Sequence, residues 1–157
     1  MKAYSKEDII AIYNKPLMEL VFEAAQVHRE FHDPSKIQVS TLISIKTGGC
    51  PEDFGYCPQA ARYHTQIEKN DLLPYETVIN LAKKAKENGS SRVCMGAAWR
   101  NVKEGEDFES VLKMVSGISE LNMEVCCTLG MVTQSQATRL AKAGLHYYNH
   151  NLDTSEE

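Results

Sequence analysis

Residues 91–129 read SRVCMGAAWRNVKEGEDFESVLKMVSGISELNMEVCCTL, and this stretch decides the fold. It opens on a short β-type run, Ser91–Met95, and closes on another, Met123–Leu129. Between them Phe108, Val111, Leu112, Val115 and Ile118 recur at helical spacing, which predicts an amphipathic helix around Asp107–Leu121. Two strands joined by a helix form a right-handed crossover, so the two strands are expected to lie parallel in one sheet.

The same alternation extends outward from this unit. Downstream, Thr133 and Gln136 have the spacing of a capping box. The helix they open carries Ala137, Leu140 and Ala141, and Gly144 is its expected stop. Leu145–Asn151, LHYYNHN, is then expected as a fourth strand. Upstream, Val78, Leu81, Ala82 and Ala85 predict a helix around Pro74–Asn88, ended by Gly89. Before it, Ile37–Ile45 (IQVSTLISI) is a β-type run leading to Gly48–Gly49. Residues 6–32 read as helix, interrupted near Asn14–Pro16, with Leu17, Leu20, Val21, Ala24 and Val27 as an apolar stripe. His28 and His32 share one face of it, a pair better read as a solvated helix end than as metal ligands, since no third donor stands near in sequence.

Strands that alternate with helices give an α/β fold. A β/α barrel is the first expectation and a doubly wound sheet the second. A complete eight-stranded barrel takes about 250 residues. The 157 residues supply four strands. The chain is therefore expected to be the N-terminal half of a (β/α)8 barrel. It reads as one partial barrel domain over 1–157, with N-terminal helices in 1–35, four strands and their helices in 36–157, and the C-terminal half absent.

Composition narrows the function classes. Hydrophobic residues make up 43% and charged residues 24%, which suits a globular chain with a core rather than a disordered one. The net charge of -4 argues against nucleic acid and anionic membrane as partners, both of which favour basic surfaces. No apolar run approaches the roughly 18 residues of a membrane helix. The start, MKAYSKEDII, lacks the apolar stretch of a secretory signal, so the cytoplasm is the expected compartment. Five cysteines, Cys50, Cys57, Cys94, Cys126 and Cys127, are an odd count that does not read as a disulfide framework.

In a parallel barrel, function gathers at the C-terminal ends of the strands. Cys50 and Cys57 follow the first strand, Cys94 and the GAAWRN turn close the second, and Cys126 and Cys127 lie on the third. Along an extended fourth strand Tyr147, Asn149, Asn151 and Asp153 share one face, and Tyr148, His150 and Leu152 the other. Two amides and a carboxylate turned into a barrel call for a polar partner such as a ribose, an amino acid or a ureido group. The competing reading is a solvated strand end with an Asx turn at Asp153. Of the adjacent Cys126 and Cys127, only one faces the barrel interior, and alternation alone does not say which.

The segments CPEDFGYCPQAARYHT, SSRVCMGAAWRN, MEVCCTLGM and AGLHYYNHNLDTS, in that order, resemble the biotin synthases of the radical S-adenosylmethionine superfamily, over nearly the whole chain. The resemblance implies a (β/α)8 barrel in a homodimeric sulfurtransferase that inserts sulfur into dethiobiotin to make biotin. It implies a 4Fe-4S cluster with S-adenosyl-L-methionine, a 2Fe-2S cluster as the sulfur source, and an electron donor such as flavodoxin or ferredoxin. The first cluster's Cys-x3-Cys-x2-Cys motif falls on Cys50, Phe54 and Cys57. Phe54 is a departure, because a phenyl ring does not ligate iron. The resemblance places Tyr56 near the adenine, and Ala97 and Trp99 in the cofactor region. It makes Cys94 and Cys126 ligands of the second cluster. It puts Asn149, Asn151 and Asp153 on dethiobiotin or S-adenosylmethionine: Asn149 and Asn151 on the substrate, Asn151 and Asp153 on the cofactor.

By that resemblance, one electron cleaves a carbon–sulfur bond of the cofactor, and the resulting 5'-deoxyadenosyl radical takes hydrogen from unactivated carbons of dethiobiotin. Phe54 and the half-length barrel predict that this chain is inactive as written. The alternatives are another radical S-adenosylmethionine enzyme such as a hydrogenase-maturation relative, a non-catalytic fragment or inactive paralogue, and a zinc module on Cys50, Cys57, Cys94 and Cys126. The last lacks the paired Cys-x2-Cys spacing of zinc sites.

Overall fold

The computed structural model describes residues 3–151. They divide into two units, the first ending at Ile37 and the second beginning at Gln38.

The first unit is helical: α1 (Lys6–Tyr13) and α2 (Leu17–Phe31). Ser5 caps α1 reciprocally with Asp8. The Ser5 hydroxyl accepts the Asp8 N–H at 3.1 Å, and the Asp8 carboxylate accepts the Ser5 N–H at 2.9 Å. The break falls at Asn14–Pro16, as the sequence predicts, with Pro16 at the N-cap of α2. The apolar stripe is not covered within this unit: Leu17, Val21 and Val27 are exposed, and neither helix has a buried residue. The His28 and His32 rings lie 5.3 Å apart, and among the described residues no group of three or more His, Cys, Asp or Glu side chains could hold a metal ion.

The second unit alternates strand and helix: β1 (Ser40–Lys46), α3 (Tyr75–Glu87), β2 (Arg92–Ala97), α4 (Glu106–Glu120), β3 (Glu124–Thr128), α5 (Gln134–Lys142) and β4 (Tyr147–Tyr148). The sheet is parallel throughout, in the order β1-β2-β3-β4. Strands that follow one another in space as in sequence give no switch point, so the barrel-type α/β expectation holds and the doubly wound alternative falls.

Within this unit α3, α4 and α5 pack on one face of the sheet. Ile43, Ile45, Val93, Met95, Val125 and Cys127 point into a core shared with Val78, Ala82, Phe108, Val111, Val115 and Leu140. Residues between them face the other way. Leu42, Cys94, Cys126 and Tyr147 are register partners and form one row across all four strands. Leu42 is 73% exposed on that face.

Helix ends follow the sequence signals. The Thr133–Gln136 capping box opens α5, with Gln136 N–H on the Thr133 hydroxyl at 3.2 Å and Thr133 N–H on the Gln136 side chain at 2.9 Å. The same Gln136 is buried and donates to the Val102 carbonyl at 3.0 Å, tying α5 to the loop after β2.

The fourth strand is shorter than expected. Gly144, at φ +100°, and Leu145 complete a Schellman motif on α5: Gly144 N–H bonds Ala141 O at 3.1 Å, and Leu145 N–H bonds Leu140 O at 3.0 Å. Leu145 is thus occupied in ending the helix, and β4 is confined to Tyr147–Tyr148. One further bond, Asn149 N–H to Cys127 O at 2.9 Å, carries the ladder past it. Among the described residues no helix is long and apolar enough to cross a membrane.

Candidate functional site

The chain leaves β1 through Gly48 and Gly49, both at positive φ (+73° and +67°). At Gly48 an added Cβ would lie 3.0 Å from the Glu68 carbonyl, so a side chain there is disfavoured by both backbone and space. The loop then closes on itself. Cys50 N–H bonds Gln59 O at 3.0 Å, Ala61 N–H bonds Cys50 O at 2.7 Å, and Cys57 N–H bonds Phe54 O at 3.1 Å. Those bonds fold Cys50–Ala61 into a compact turn over the C-terminal ends of the strands. The Phe54 and Tyr56 rings stack there, with centroids 6.1 Å apart and planes 25° apart. Arg62 pairs with Asp53, and Arg100 reaches Glu52 at 3.5 Å from the loop after β2.

Beneath this turn lies a cavity of about 270 Å³. The turn contributes Cys50, Glu52, Phe54, Tyr56, Cys57 and Gln59. The end of β2 contributes Ala97, Ala98, Trp99 and Arg100, the end of β3 Thr128 and Gly130, and the segment after β4 His150 and Asn151. Of the residues singled out from sequence, Cys50, Phe54, Tyr56, Cys57, Ala97, Trp99 and Asn151 thus come together on one cavity. Asn149 does not line it, but its amide donates to Asn151 Oδ1 at 3.1 Å and to Thr128 Oγ1 at 3.4 Å. Asp153 lies outside the described residues.

Cys94 and Cys126 stand apart from that cavity. They face each other in register on β2 and β3, on the sheet face away from the helices. Cys127 points into the core and is fully buried, which settles what alternation left open. All five cysteines are free. At the N-terminal end of the same face Arg92 bonds Glu124 at 2.8 Å and lies over the Tyr147 ring, 4.0 Å from its centroid. The hydrogen bond from Arg92 is the main reason the Glu124 carboxyl is held below its ordinary range.

One correction follows from the short β4. Alternation puts His150 on the face opposite Asn151, yet both line the cavity, because the extended backbone that alternation requires ends at Tyr148. Arg100 belongs to the GAAWRN turn; Thr128 and Gly130, at the end of β3 and just beyond it, are further lining residues that the strand-end rule marks and the sequence reading leaves out.

Gly130 is a steric keystone. It has φ +74°, and a Cβ there would sit 2.3 Å from the Arg100 carbonyl oxygen and 2.5 Å from that of Trp99. Backbone on both sides cannot retreat as a side chain would. Gly130→Ala is expected to cost on the order of 2–4 kcal/mol, through backbone strain and overpacking together. Urea unfolding checks it, and a loss below about 0.5 kcal/mol, the scale of a neutral surface change, would show that the two loops move apart freely.

Burial, followed by the hydrogen bond and charge of the Cys94 thiol, pushes Cys126 up from 9.0 to about 11. Between those values the unfolded chain releases this proton and the folded chain keeps it. The stability from this group is full below pH 9 and is lost as pH rises through 11. The urea midpoint is expected to fall from pH 9 to 11, less steeply in Cys126→Ala; identical slopes would contradict this.

Comparison with known proteins agrees with the geometry. The sequence profile of the Radical SAM superfamily matches residues 44–157. A biotin synthase of Flavobacterium psychrophilum is 70% identical over 154 residues, which is 98% of this chain and 42% of that protein. A biotin synthase of Flavobacterium johnsoniae is 69% identical, with the same 98% and 42% coverage. One of Nostoc punctiforme is 61% identical over 150 residues, 96% of this chain and 45% of that protein. The chain spans less than half the length of these relatives.

Proposed function

This chain belongs to the Radical SAM superfamily, and from that premise we propose that its fold serves biotin synthase chemistry, the insertion of sulfur into dethiobiotin. Membership carries an iron–sulfur cluster and S-adenosylmethionine as the cofactors of the chemistry. On this reading residues 36–157 are the first four β/α units of one barrel domain and 1–35 its N-terminal helices. On the same reading a full-length protein of this fold with its first cluster in place works in the cytoplasm as a homodimer, fed by a flavodoxin- or ferredoxin-type donor.

The observation that carries the reading is the convergence of Cys50, Cys57, Tyr56, Trp99 and Asn151 on one cavity at the strand ends. The cavity suits the nucleoside of S-adenosylmethionine: aromatic faces at Tyr56 and Trp99 for a base, and hydrogen-bonding groups at Asn151, His150, Gln59 and Thr128 for a ribose. Asn149, bonded to Asn151, presents an amide to a ureido group.

A 4Fe-4S cluster does not fit the residues present. Two thiols and a phenyl ring stand where three thiolates are needed, and among the described residues no three side chains of metal-ligating type group together. A 2Fe-2S cluster fits the Cys94–Cys126 pair as two of its ligands, and when bound it would supply the sulfur. The chain's own contribution is to bind and orient the nucleoside and the ureido ring and to hold two thiols in register on β2 and β3. The Phe54 ring favours a second reading, a relative that keeps the fold and the nucleoside cavity without the redox chemistry.

Calorimetric titration with S-adenosylhomocysteine and with dethiobiotin tests the reading. Saturable binding is expected, weakened about tenfold for the nucleoside by Asn151→Ala and for dethiobiotin by Asn149→Ala, each at the cost of about one hydrogen bond. Binding that is absent, or indifferent to both substitutions, counts against it.

A further inference from the structure

Tyr148, in β4, places its ring against the core and its hydroxyl at the end of the neighbouring strand. The hydroxyl accepts the Leu129 N–H at 3.2 Å and donates to the Gly130 carbonyl at 2.5 Å. One phenol thereby holds two consecutive residues just beyond β3. Burial pushes this phenol up to about 12, so it keeps its proton and can donate.

The other side of Gly130 is equally constrained. The Met131 N–H bonds the Arg100 carbonyl at 2.8 Å, and Asn101 pairs with Met131 as an isolated parallel bridge. The carbonyls of Trp99 and Arg100 leave no room for a side chain at Gly130. Tyr148, Gly130 and the Trp99–Arg100 turn therefore form a chain of contacts, and its last three members line the cavity. Tyr148 itself does not.

We propose that Tyr148 is a positioning residue for the cavity, its hydroxyl fixing Gly130 and, through Gly130, the wall that carries Trp99. The value of that wall to a nucleoside rests on the function proposed above. The division of labour within the side chain makes the idea testable. The ring fills core volume, and Tyr148→Phe preserves it. The hydroxyl is what reaches the loop, and its removal leaves the Leu129 N–H and the Gly130 carbonyl without the partner that holds them.

Trp99 is the only tryptophan, so its emission reports on this wall without a ligand. Tyr148→Phe is expected to raise acrylamide quenching of Trp99 about twofold, as a loosened loop does. It is also expected to weaken S-adenosylhomocysteine binding about tenfold, the loss carried by about one hydrogen bond. Val111→Ala, which hollows the core beside α4, is the control: it lowers the melting temperature at least as much and is expected to leave Trp99 quenching unchanged. Quenching unaltered in Tyr148→Phe, or raised equally by Val111→Ala, overturns the proposal. If quenching rises in Tyr148→Phe alone while the parent chain binds no S-adenosylhomocysteine, positioning stands and the nucleoside reading of the cavity fails.

Discussion

Phe54→Cys is expected to turn a chain that holds little or no stable 4Fe-4S cluster into one that takes up about four irons and four sulfides on anaerobic reconstitution, as a site of three thiolates does. The loop is otherwise prepared. Cys50 and Cys57 both line the cavity, the Cys57 N–H closes the turn on the Phe54 carbonyl at 3.1 Å, and Gly48 and Gly49 keep their positive φ. At position 54 itself a ring stacks on Tyr56 instead of a thiol joining the pair. A smaller side chain there removes that stack without touching the backbone bonds that shape the turn. The parent chain is accordingly expected not to cleave S-adenosylmethionine. Iron and sulfide analysis with low-temperature electron paramagnetic resonance, on parent and variant together, decides it. Equal cubane signals from both would mean that another group serves as the third ligand. The substitution is not expected to yield biotin from this chain, in which Cys94 and Cys126 are the only candidate ligands assigned to the second cluster.

How much of this was legible follows from what each signal measures. Apolar periodicity reports which side of an element is buried, and it placed α3, α4, α5, β2 and β3 close to their observed bounds, whereas β1 begins at Ser40, three residues after the β-type run that opens at Ile37. Glycine and capping signals report chain direction locally, and Thr133, Gln136 and Gly144 behave as their chemistry dictates. Three features were out of reach for physical reasons. Alternation says that Cys126 and Cys127 oppose each other; which one is buried depends on the side where α4 and α5 pack. The length of β4 depends on a helix stop that reaches one residue past Gly144, so a pattern of β-type residues over Leu145–Asn151 overstates it. The Tyr148 hydroxyl bonds residues 18 and 19 positions away, and no local pattern encodes such a contact. The stripe at Leu17, Val21 and Val27 is a further case, since periodicity shows that a helix is amphipathic without showing what covers it.

The 157-residue chain by itself is expected to associate or aggregate, because its sheet is unfinished in two directions. Within the described residues β1 pairs only with β2, and β4 only with β3, which leaves a row of backbone donors and acceptors at each edge. The face away from the helices is also uncovered: Leu42 is 73% exposed and Tyr147 47% exposed, in one row with Cys94 and Cys126. Edge and face act together, since a strand that adds to β1 brings its own side chains over Leu42. Light scattering across a concentration series is expected to show mass that grows with concentration. Leu42→Lys places a charge on that face beside the β1 edge and is expected to shift the distribution towards monomer while leaving the helix-side core untouched. A monodisperse monomer with a single sharp thermal transition would defeat this expectation. So would association that Leu42→Lys leaves unaltered, which would point to a surface other than the open sheet.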